Sequence, residues 1–400
     1  MTTVASSLKE QFLLDPQVIY LNHGSCGACP RPVFETYQRW QLELEREPVD
    51  FLGRRSGALL AEARGRLAAY LNVSADDLVY FPNPTTAINM VARSLATPDH
   101  GQPAMLQPGD EILTTDHEYP AMDQTWRFIA AKTGARYVHQ PIPLPLISPA
   151  EFVETFWAGV TPRTRVIFLS HITCQTALIF PVAEICRRAR EAGLISIVDG
   201  AHAPGQIPLD LSALGADIYV GACHKWLCAP KGSAFLYARP EAQAWLEPLV
   251  ISRGWGRTTS DGASAFVTYN EAQGTRDLSA FLAVPAAIEF QAEHHWELQR
   301  QRCHELASYT RARLNALTGL DPLCPDSPQW FGQMVSIRLP EVDLARLSQH
   351  LRQDYRIEVP VLKWNGQPLI RVSFQAYNDR SDADALIEAL EDLLPELSSL

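Results

Sequence analysis

Residues 195–234 read ISIVDGAHAPGQIPLDLSALGADIYVGACHKWLCAPKGSA, and this stretch decides the fold. It contains two short runs rich in β-branched residues, ISIV and DIYV, with turn-forming residues between them. Asp199 directly follows the first run, and Lys225 lies just beyond the second. Strands that are apolar along their whole length are typical of a sheet covered by helices on both faces. The stretch therefore predicts part of the central sheet of an α/β protein.

The same alternation extends outward from Leu78 to Arg239, where short apolar runs alternate with amphipathic helical stretches. We predict a mostly parallel seven-stranded sheet between helices. The last strand is a candidate to run antiparallel to the strand before it, because the turn around Pro230, Lys231 and Gly232 joins the two. The seven runs are LVYF, EILTT, ARYVH, RVIFLS, ISIVD, DIYVGA and SAFLYA.

The regions outside this sheet predict helices and a second, smaller module. A chain of 400 residues exceeds the usual size of one hydrophobic core. We therefore predict a large domain at residues 20–285 and a small α+β domain built from residues 1–19 and 286–400. The helical patterns cover residues 32–45, 57–70, 279–317 (one long helix or two), 343–353 and 382–394, and the strand-like runs outside the sheet cover 334–339, 357–361 and 369–374.

Composition and charge exclude several classes of function. The 34 basic and 45 acidic side chains give a net charge of −11, and the acids are scattered, which argues against a nucleic-acid partner. No apolar run approaches the roughly 20 residues of a membrane span, so we expect a cytoplasmic protein without membrane contact. Eight cysteines are too sparse for a disulfide framework. Cys26 and Cys29 form a C-x-x-C motif, but no second pair completes a four-ligand set, and we expect no metal.

Lys225 is the first candidate for catalysis. It follows an apolar strand end and precedes a tight Pro-Lys-Gly turn. Open α/β sheets bind ligands just beyond their strand ends, and a partly desolvated lysine has the lowered pKa that imine formation with an aldehyde requires. An ordinary exposed loop lysine is the alternative interpretation.

Asp199 strengthens the case for Lys225, because it ends another apolar run 26 residues earlier. An ionised carboxylate in an apolar crevice is costly unless it meets a cationic or donor partner, and a protonated pyridine nitrogen is one such partner. A helix-capping or salt-bridged structural aspartate is the alternative.

The segment FPNPTTAINMVA (residues 81–92) adds a candidate phosphate site. A strand ends there and a helix opens on Thr85 and Thr86. Helix N-termini bind phosphate through free backbone N–H groups and the positive end of the helix dipole. Simple threonine capping of a helix is the alternative.

Together these motifs resemble the fold-type I pyridoxal-phosphate enzymes, and within them the class-V aminotransferase family. The sequence motifs are similar to those of the isopenicillin N epimerase-like group of that family, and the resemblance spans nearly the whole chain. It depends on four stretches: YLNHGSCGACP (20–30), EREPVDFLGRR (45–55), HKWLCAPKG (224–232) and IRVSFQAYN (370–378).

The resemblance implies the aspartate aminotransferase-like fold and pyridoxal 5′-phosphate as cofactor. It implies that Lys225 carries the cofactor as a Schiff base, that Asp199 pairs with the ring nitrogen, and that His202 bonds the phenolic oxygen of the ring. It also implies a homodimer whose active site lies at the subunit interface. The further roles that it implies are ring stacking by Tyr119, phosphate contacts by Thr85, Thr86 and His224, a phosphate contact from the neighbouring subunit by Gly274 and Thr275, and substrate binding by Arg371, which grips the α-carboxylate, with Asn22 and His23 assisting.

Several reactions remain open after the Cα proton is removed. We favour an epimerase or racemase in which Lys225 is one acid/base and an unidentified group, for which Tyr119 is a candidate, acts on the opposite face. A C–S β-lyase of the cysteine desulfhydrase or sulfoxide lyase type is the alternative, followed by an aminotransferase. A cysteine desulfurase needs a nucleophilic cysteine shortly before Arg371, and the nearest upstream one, Cys324, lies 47 residues earlier. A non-catalytic binding protein would not need Lys225, Asp199 and Arg371 together.

The substrate side chain has no spacing rule, since scattered loop residues recognise it. Our candidates for that recognition are Trp255, Arg257, Tyr269, Trp364 and Arg54.

Overall fold

The computed structural model describes residues 8–98, 103–256 and 264–397. Its centre is a seven-stranded sheet in the order β2-β8-β7-β6-β5-β3-β4. β8 runs antiparallel to both of its neighbours, and the other strands share one direction. The predicted α/β class, the seven runs and the antiparallel last strand are thus confirmed. Those strands are β2 (Leu78–Phe81), β3 (Glu111–Thr115), β4 (Arg136–Gln140), β5 (Thr164–Ser170), β6 (Ile195–Gly200), β7 (Ile218–Ala222) and β8 (Ala234–Ala238).

Apart from the edge strand β4, the sheet is buried on both faces, which explains why its strands read as continuous apolar runs. Successive side chains of a strand point to opposite faces. Ile197 accordingly packs in one hydrophobic cluster and Val198 in the other.

Helices cover both faces and extend into the rest of the chain. Residues 48–71 form one continuous helical segment that includes a π-helical turn at Phe51–Arg55. The helices are α1 (His23–Cys26), α2 (Arg31–Arg46), α3 (Pro48–Asp50), α4 (Ser56–Leu71), α5 (Pro84–Leu95), α6 (Pro120–Thr133), α7 (Pro149–Trp157), α8 (Val182–Glu191), α9 (Leu211–Leu214), α10 (Pro240–Gln243), α11 (Ala265–Glu271), α12 (Ser279–Leu282), α13 (Val284–Glu293), α14 (Trp296–Thr318), α15 (Leu344–Gln353) and α16 (Arg380–Leu397).

The strands near the C-terminus form an antiparallel sheet in the order β11-β12-β9, while β1 pairs in parallel with β10. This pairing joins residues near the start of the chain to the C-terminal module. The strands are β1 (Ile19–Tyr20), β9 (Met334–Arg338), β10 (Ile357–Glu358), β11 (Val361–Trp364) and β12 (Gln367–Ser373).

Two sequence predictions in this part of the chain are wrong. The run at residues 357–361 is not one strand, because Pro360 lacks the N–H that a ladder needs and separates β10 from β11. Residues 279–317 hold three helices instead of one or two. Pro285 opens α13, and His295, in the left-handed region at φ 50°, separates α13 from α14.

The topology places a crevice beyond the carboxyl ends of the central strands of the large sheet. The chain proceeds from β3 outward to β4 and then returns to add β5, β6 and β7 on the other side of β3. Ligands of open α/β sheets bind at such a reversal, outside the carboxyl ends of the strands. Among the described residues, no helix combines the length and the apolar character needed to cross a membrane.

Candidate active site

A cavity of about 400 Å³ lies at this strand-order reversal. Tyr119 follows β3, Cys174 follows β5, Asp199 lies at the end of β6 and Lys225 follows β7. Two further segments close the cavity: residues 24–26 from α1, and Arg371 from β12. Four neighbouring strand ends and two distant segments therefore meet at one place.

Lys225 presents its amine at the wall of this cavity. Its Nζ lies 3.0 Å from Nε2 of His202. Burial lowers the pKa of the Lys225 amine, and the nearby Arg371 cation lowers it further. A larger share of neutral, nucleophilic amine is the consequence.

Asp199 is buried at the end of β6 and accepts one hydrogen bond, from the backbone N–H of Ala201 at 2.9 Å. Burial raises the pKa of its carboxyl group, although the Lys225 amine opposes that rise. Within the described part of the chain, no arginine or lysine forms an ion pair with Asp199. The carboxyl group therefore suits a cationic N–H ligand that enters from the cavity.

Glu118 is a second buried acid beside Asp199, and the sequence analysis did not identify it. Its carboxyl group accepts hydrogen bonds from the hydroxyls of Thr115 at 2.6 Å and Ser170 at 2.7 Å. Ser170 is the direct neighbour of Asp199 across β5 and β6. Burial raises the pKa of Glu118 to about 8, and the charge of Asp199 adds to the rise. The proton of Glu118 is consequently retained at neutral pH.

The N-terminus of α5 forms another wall. Asn83 is the N-cap, and its Oδ1 accepts from the backbone N–H of Thr86 at 2.8 Å and from the Thr86 hydroxyl at 3.0 Å. Asn83 and Thr85 line the cavity, whereas Thr86 does not. His224 also lines it, and its Nδ1 lies 2.9 Å from the carbonyl oxygen of Ser233. Asn83 could have been found from the sequence as the cap residue before Pro84.

Arg371 is buried, and two distant chain segments, residues 22–25 and the loop at Cys174, hold its guanidinium group. Nη1 donates to the carbonyl oxygen of Cys174 at 2.6 Å and contacts Sγ of Cys174 at 3.2 Å. Nη2 donates to the Ser25 hydroxyl at 2.7 Å and lies 3.4 Å from Oδ1 of Asn22. Nε is buried without a hydrogen-bond partner among the described residues. The group is thus fixed in place with one donor still free.

A chain of hydrogen bonds continues from Arg371 toward the surface. Ser25 donates to Oδ1 of Asn22 at 2.5 Å, which leaves its oxygen free to accept from Arg371. Nδ2 of Asn22 donates to Glu358 at 3.1 Å, and Arg352 donates to the other oxygen of Glu358 at 2.7 Å. Ser25 and Glu358 were not predicted, since no local pattern links residues this far apart in sequence.

The structure places several predicted residues away from the cavity wall. Asn22 lies behind Ser25. His23 is fully buried, with its ring nitrogens 3.1 Å from the Tyr377 hydroxyl and 3.0 Å from the Lys225 carbonyl oxygen, and burial lowers its pKa to about 3. Neither residue lines the cavity. Gly274 and Thr275 lie in a separate surface depression.

The described candidates for side-chain recognition do not line the cavity either. Trp364 packs on His117 with ring centroids 4.4 Å apart, and Trp255 packs on Tyr269 at 4.8 Å. Arg54 forms an ion pair with Asp50. Arg257 lies outside the described residues. Tyr119, in contrast, lines the cavity and is 42% exposed.

Comparison with known proteins gives one family for almost the entire chain. The family described as Aminotransferase class-V matches residues 19–386. The chain is 41% identical to the isopenicillin N epimerase of Amycolatopsis lactamdurans over 98% of this chain and 99% of that protein. It is 28% identical to a probable chloroplastic L-cysteine desulfhydrase of Arabidopsis thaliana over 95% of this chain and 84% of that protein.

A solved structure of similar fold is that of a cysteine desulfurase from Escherichia coli. The two structures superpose with a TM-score of 0.80 at 26% sequence identity, covering 97% of this chain and 98% of the other. The arrangement of the sheet and its flanking helices is therefore shared with a solved member of this fold class.

Proposed function

The chain belongs to the class-V aminotransferase family, and from this premise we propose that it is an epimerase or racemase that inverts the α-carbon of an amino acid. It is a pyridoxal 5′-phosphate-dependent enzyme. One observation carries the proposal: a single cavity holds the Lys225 amine, the Arg371 guanidinium and the Tyr119 phenol. The 41% identical epimerase of Amycolatopsis lactamdurans supports the same reaction type.

The cavity fits the cofactor. Asp199, which is buried with a single hydrogen bond and has no ion-pair partner among the described residues, suits the protonated ring nitrogen. Lys225, with its lowered pKa, suits the aldehyde, and the capped N-terminus of α5 at Asn83 and Thr85 suits the phosphate. When bound, the cofactor withdraws electrons from the Cα–H bond of the substrate and so makes that proton acidic.

The side chains of this protein would divide the remaining work. Arg371 would bind the substrate α-carboxylate, which fixes where Cα lies. The Lys225 amine would remove the Cα proton from one face. The pKa of Tyr119 is raised by its partial burial, with Cys174 and Asp199 adding to the rise, so its phenol stays protonated at neutral pH and can return a proton from the other face. Inversion follows when removal and return use different faces.

The second candidate is a C–S β-lyase, which the desulfhydrase relative favours. Both reactions start with removal of the Cα proton. A substrate that carries a leaving group on Cβ would then lose that group by β-elimination. A desulfurase is less well supported. Cys324 is buried against Arg311, and a tight turn with positive φ at Asn365 and Gly366 stands where a cysteine-bearing loop would be needed before Arg371.

The experiment follows proton exchange and stereochemistry in deuterated water. The purified enzyme is given isopenicillin N, single-enantiomer amino acids and L-cysteine in separate reactions. We expect deuterium at Cα together with the opposite enantiomer, detected by ¹H NMR and chiral chromatography. Pyruvate and sulfide from L-cysteine without inversion of any substrate would contradict the epimerase and favour the lyase. Retained configuration with keto-acid formation would point to transamination.

We also propose a homodimer whose subunits complete each other's site. The exposed apolar residues Leu249, Val250 and Ile251 are 38%, 42% and 61% exposed, and Leu249 lines a shallow depression with Thr85 at the phosphate end. Gly274 and Thr275 lie outside the cavity of their own chain and are free to serve a neighbour. Co-expressing inactive Lys225→Ala with inactive Gly274→Trp tests this arrangement. Hybrid dimers should regain activity, and no recovery in dimers shown to be mixed would contradict it.

A further inference from the structure

We propose that Trp226 is a positioning residue that fixes the tautomer of His202, so that the single ring N–H of His202 points toward the Lys225 amine. The indole nitrogen of Trp226 lies 3.2 Å from Nδ1 of His202, and Nε2 on the other side of the same ring lies 3.0 Å from Nζ of Lys225. His202 therefore stands between a residue that was not predicted to take part and the candidate catalytic lysine.

The chemistry of the indole group decides the tautomer. An indole N–H donates a hydrogen bond and cannot accept one, so Nδ1 of His202 must be the acceptor. A neutral imidazole carries one proton, which must then lie on Nε2. The ring is neutral because burial lowers its pKa well below the ordinary value, and the neighbouring Arg371 cation lowers it further.

Both partners are held rigidly. The Trp226 side chain is fully buried and stacks at a tilt on His23 with ring centroids 5.1 Å apart. The Trp226 carbonyl oxygen accepts from Gln291 at 2.9 Å. Gly205, at φ +87°, allows the close approach of this backbone, since a Cβ there would lie 2.2 Å from the Trp226 carbonyl oxygen. The backbone of His202 is held in turn, because its carbonyl oxygen accepts from Gln206 at 2.8 Å.

The fixed tautomer has a consequence for Lys225. An Nε2–H group and an ammonium group are both donors and would oppose each other at 3.0 Å. A neutral amine has a lone pair that accepts this N–H. Trp226 thus favours the neutral amine through His202, and a neutral amine is the form that reacts with an aldehyde.

A second consequence rests on the proposed function. In pyridoxal 5′-phosphate the phenolic hydroxyl and the aldehyde group are on adjacent ring carbons, so a donor that reaches the Lys225 amine would also be near that hydroxyl. His202 would then donate to the cofactor with the same Nε2–H. The Lys225 and His202 contacts themselves belong to this chain and do not depend on the reaction that the enzyme performs.

The first test is the tautomer itself in the wild-type protein. Full-length enzyme labelled with ¹⁵N-histidine is examined by long-range ¹H–¹⁵N correlation, and the signal of His202 is assigned by its loss in His202→Gln. We expect a protonated Nε2 and an unprotonated Nδ1. A protonated Nδ1 would overturn the proposal even if no Trp226 variant folds.

The second test removes the indole N–H and keeps an aromatic ring, as Trp226→Phe. We expect the His202 signals to change from one tautomer to a mixture. We also expect pyridoxal 5′-phosphate, the probe in this experiment, to bind about fivefold more weakly, the effect of one neutral hydrogen bond. In a His202→Gln background the same substitution should add no further weakening. Unchanged His202 signals in folded Trp226→Phe, or equal weakening in both backgrounds, would show that Trp226 serves packing alone.

The His202 tautomer and the affinity for pyridoxal 5′-phosphate are both measured without turnover, so they separate this inference from the proposed reaction. Epimerisation can fail in every assay while the tautomer and the cofactor affinity behave as expected, which would leave the role of Trp226 intact. A different tautomer in an active epimerase would remove that role and leave the proposed function unaffected.

Discussion

The two ends of the candidate active site are built in different ways. At the end where we propose that the cofactor binds (the cofactor end), Asp199 and Lys225 lie at the carboxyl ends of β6 and β7, which are neighbours in the sheet. At the end where we propose that the substrate carboxylate binds (the carboxylate end), Arg371 is held by Ser25 and Cys174, which are 346 and 197 residues away in sequence. A strand end has a fixed place in an α/β sheet, whereas contacts between distant segments depend on the whole fold. The arrangement of the first end can therefore be predicted from the sequence, whereas the contacts at the second end largely cannot.

The largest expected effect removes the cofactor end at its centre. Lys225→Ala should lower kcat by at least about 10³-fold, because it removes both the amine that would hold the cofactor and the acid/base on one face. The visible absorption of the bound cofactor should change, and borohydride should no longer attach it to the protein. Lys231→Ala, which changes an exposed lysine of the turn that follows, is the matched control. Near-normal activity in folded Lys225→Ala would mean that Lys225 is not required, and the proposed cofactor end would be wrong.

The carboxylate end should respond in KM more than in kcat. Arg371→Lys keeps the charge but loses the planar fork, and charge-assisted hydrogen bonds of this kind contribute about 1.5–3 kcal/mol. We therefore expect KM for the amino acid to rise by about 10–100-fold. Arg338→Lys, on the neighbouring strand β9, is the control and should leave KM unchanged. A fall in kcat at constant KM would place Arg371 in the chemical step instead of in binding.

The sequence predicted that Asp199 and Lys225 lie at neighbouring strand ends because the physical rules there are local. An apolar run followed by Asp199 or Lys225 indicates a strand end and a polar group beyond it, and the order of the runs indicates a shared edge. The same rules placed the helix at Thr85, although they missed that Asn83 is the cap and that the Thr86 hydroxyl is used by it.

The remaining parts could not be predicted, since their partners are determined by tertiary packing. The buried carboxyl group of Glu118 is adjacent to Tyr119 in sequence, yet only the pairing of β5 with β6 brings it beside Asp199. The family resemblance implied a role for His23 in substrate binding, but its ring contacts Tyr377 and does not line the cavity. Ser25 is one small residue in a glycine-rich segment, and nothing local indicates that it meets an arginine from β12.

Glu118 offers an intermediate test of how strongly the cofactor end depends on burial. The pKa of its carboxyl group is raised from 4.5 to about 8 in the folded protein, so the folded state holds this proton more tightly than the unfolded state. The resulting stabilisation is complete below the ordinary pKa and is lost as the pH rises toward 8. Between pH 5 and 8 we expect the free energy of unfolding of the wild type to fall relative to Glu118→Gln, by at most about 1.4 kcal/mol per pH unit.

Urea unfolding of both proteins across this pH range, in the same cofactor-bound or cofactor-free state, measures the difference. Glu62→Gln, which changes an exposed glutamate, should show no such trend against the wild type. Parallel pH profiles for the wild type and Glu118→Gln would mean that the carboxyl group of Glu118 is ionised in the fold, and that the cofactor end tolerates two adjacent buried charges.

The smallest expected effect tests the carboxylate end. Ser25→Ala removes one acceptor from Nη2 of Arg371 and interrupts the hydrogen-bond chain to Asn22 and Glu358. The loss of one hydrogen bond to a charged group that keeps its other partners should cost about 1 kcal/mol, which corresponds to a roughly fivefold higher KM with little change in kcat. Ser25→Thr retains the hydroxyl and should restore KM if the larger side chain fits. An unchanged KM in Ser25→Ala would mean that the Cys174 carbonyl alone fixes Arg371. In that case the position of Arg371 would also depend on a strand end, since Cys174 follows β5. The two ends of the site would then differ only in the number of chain segments that build them.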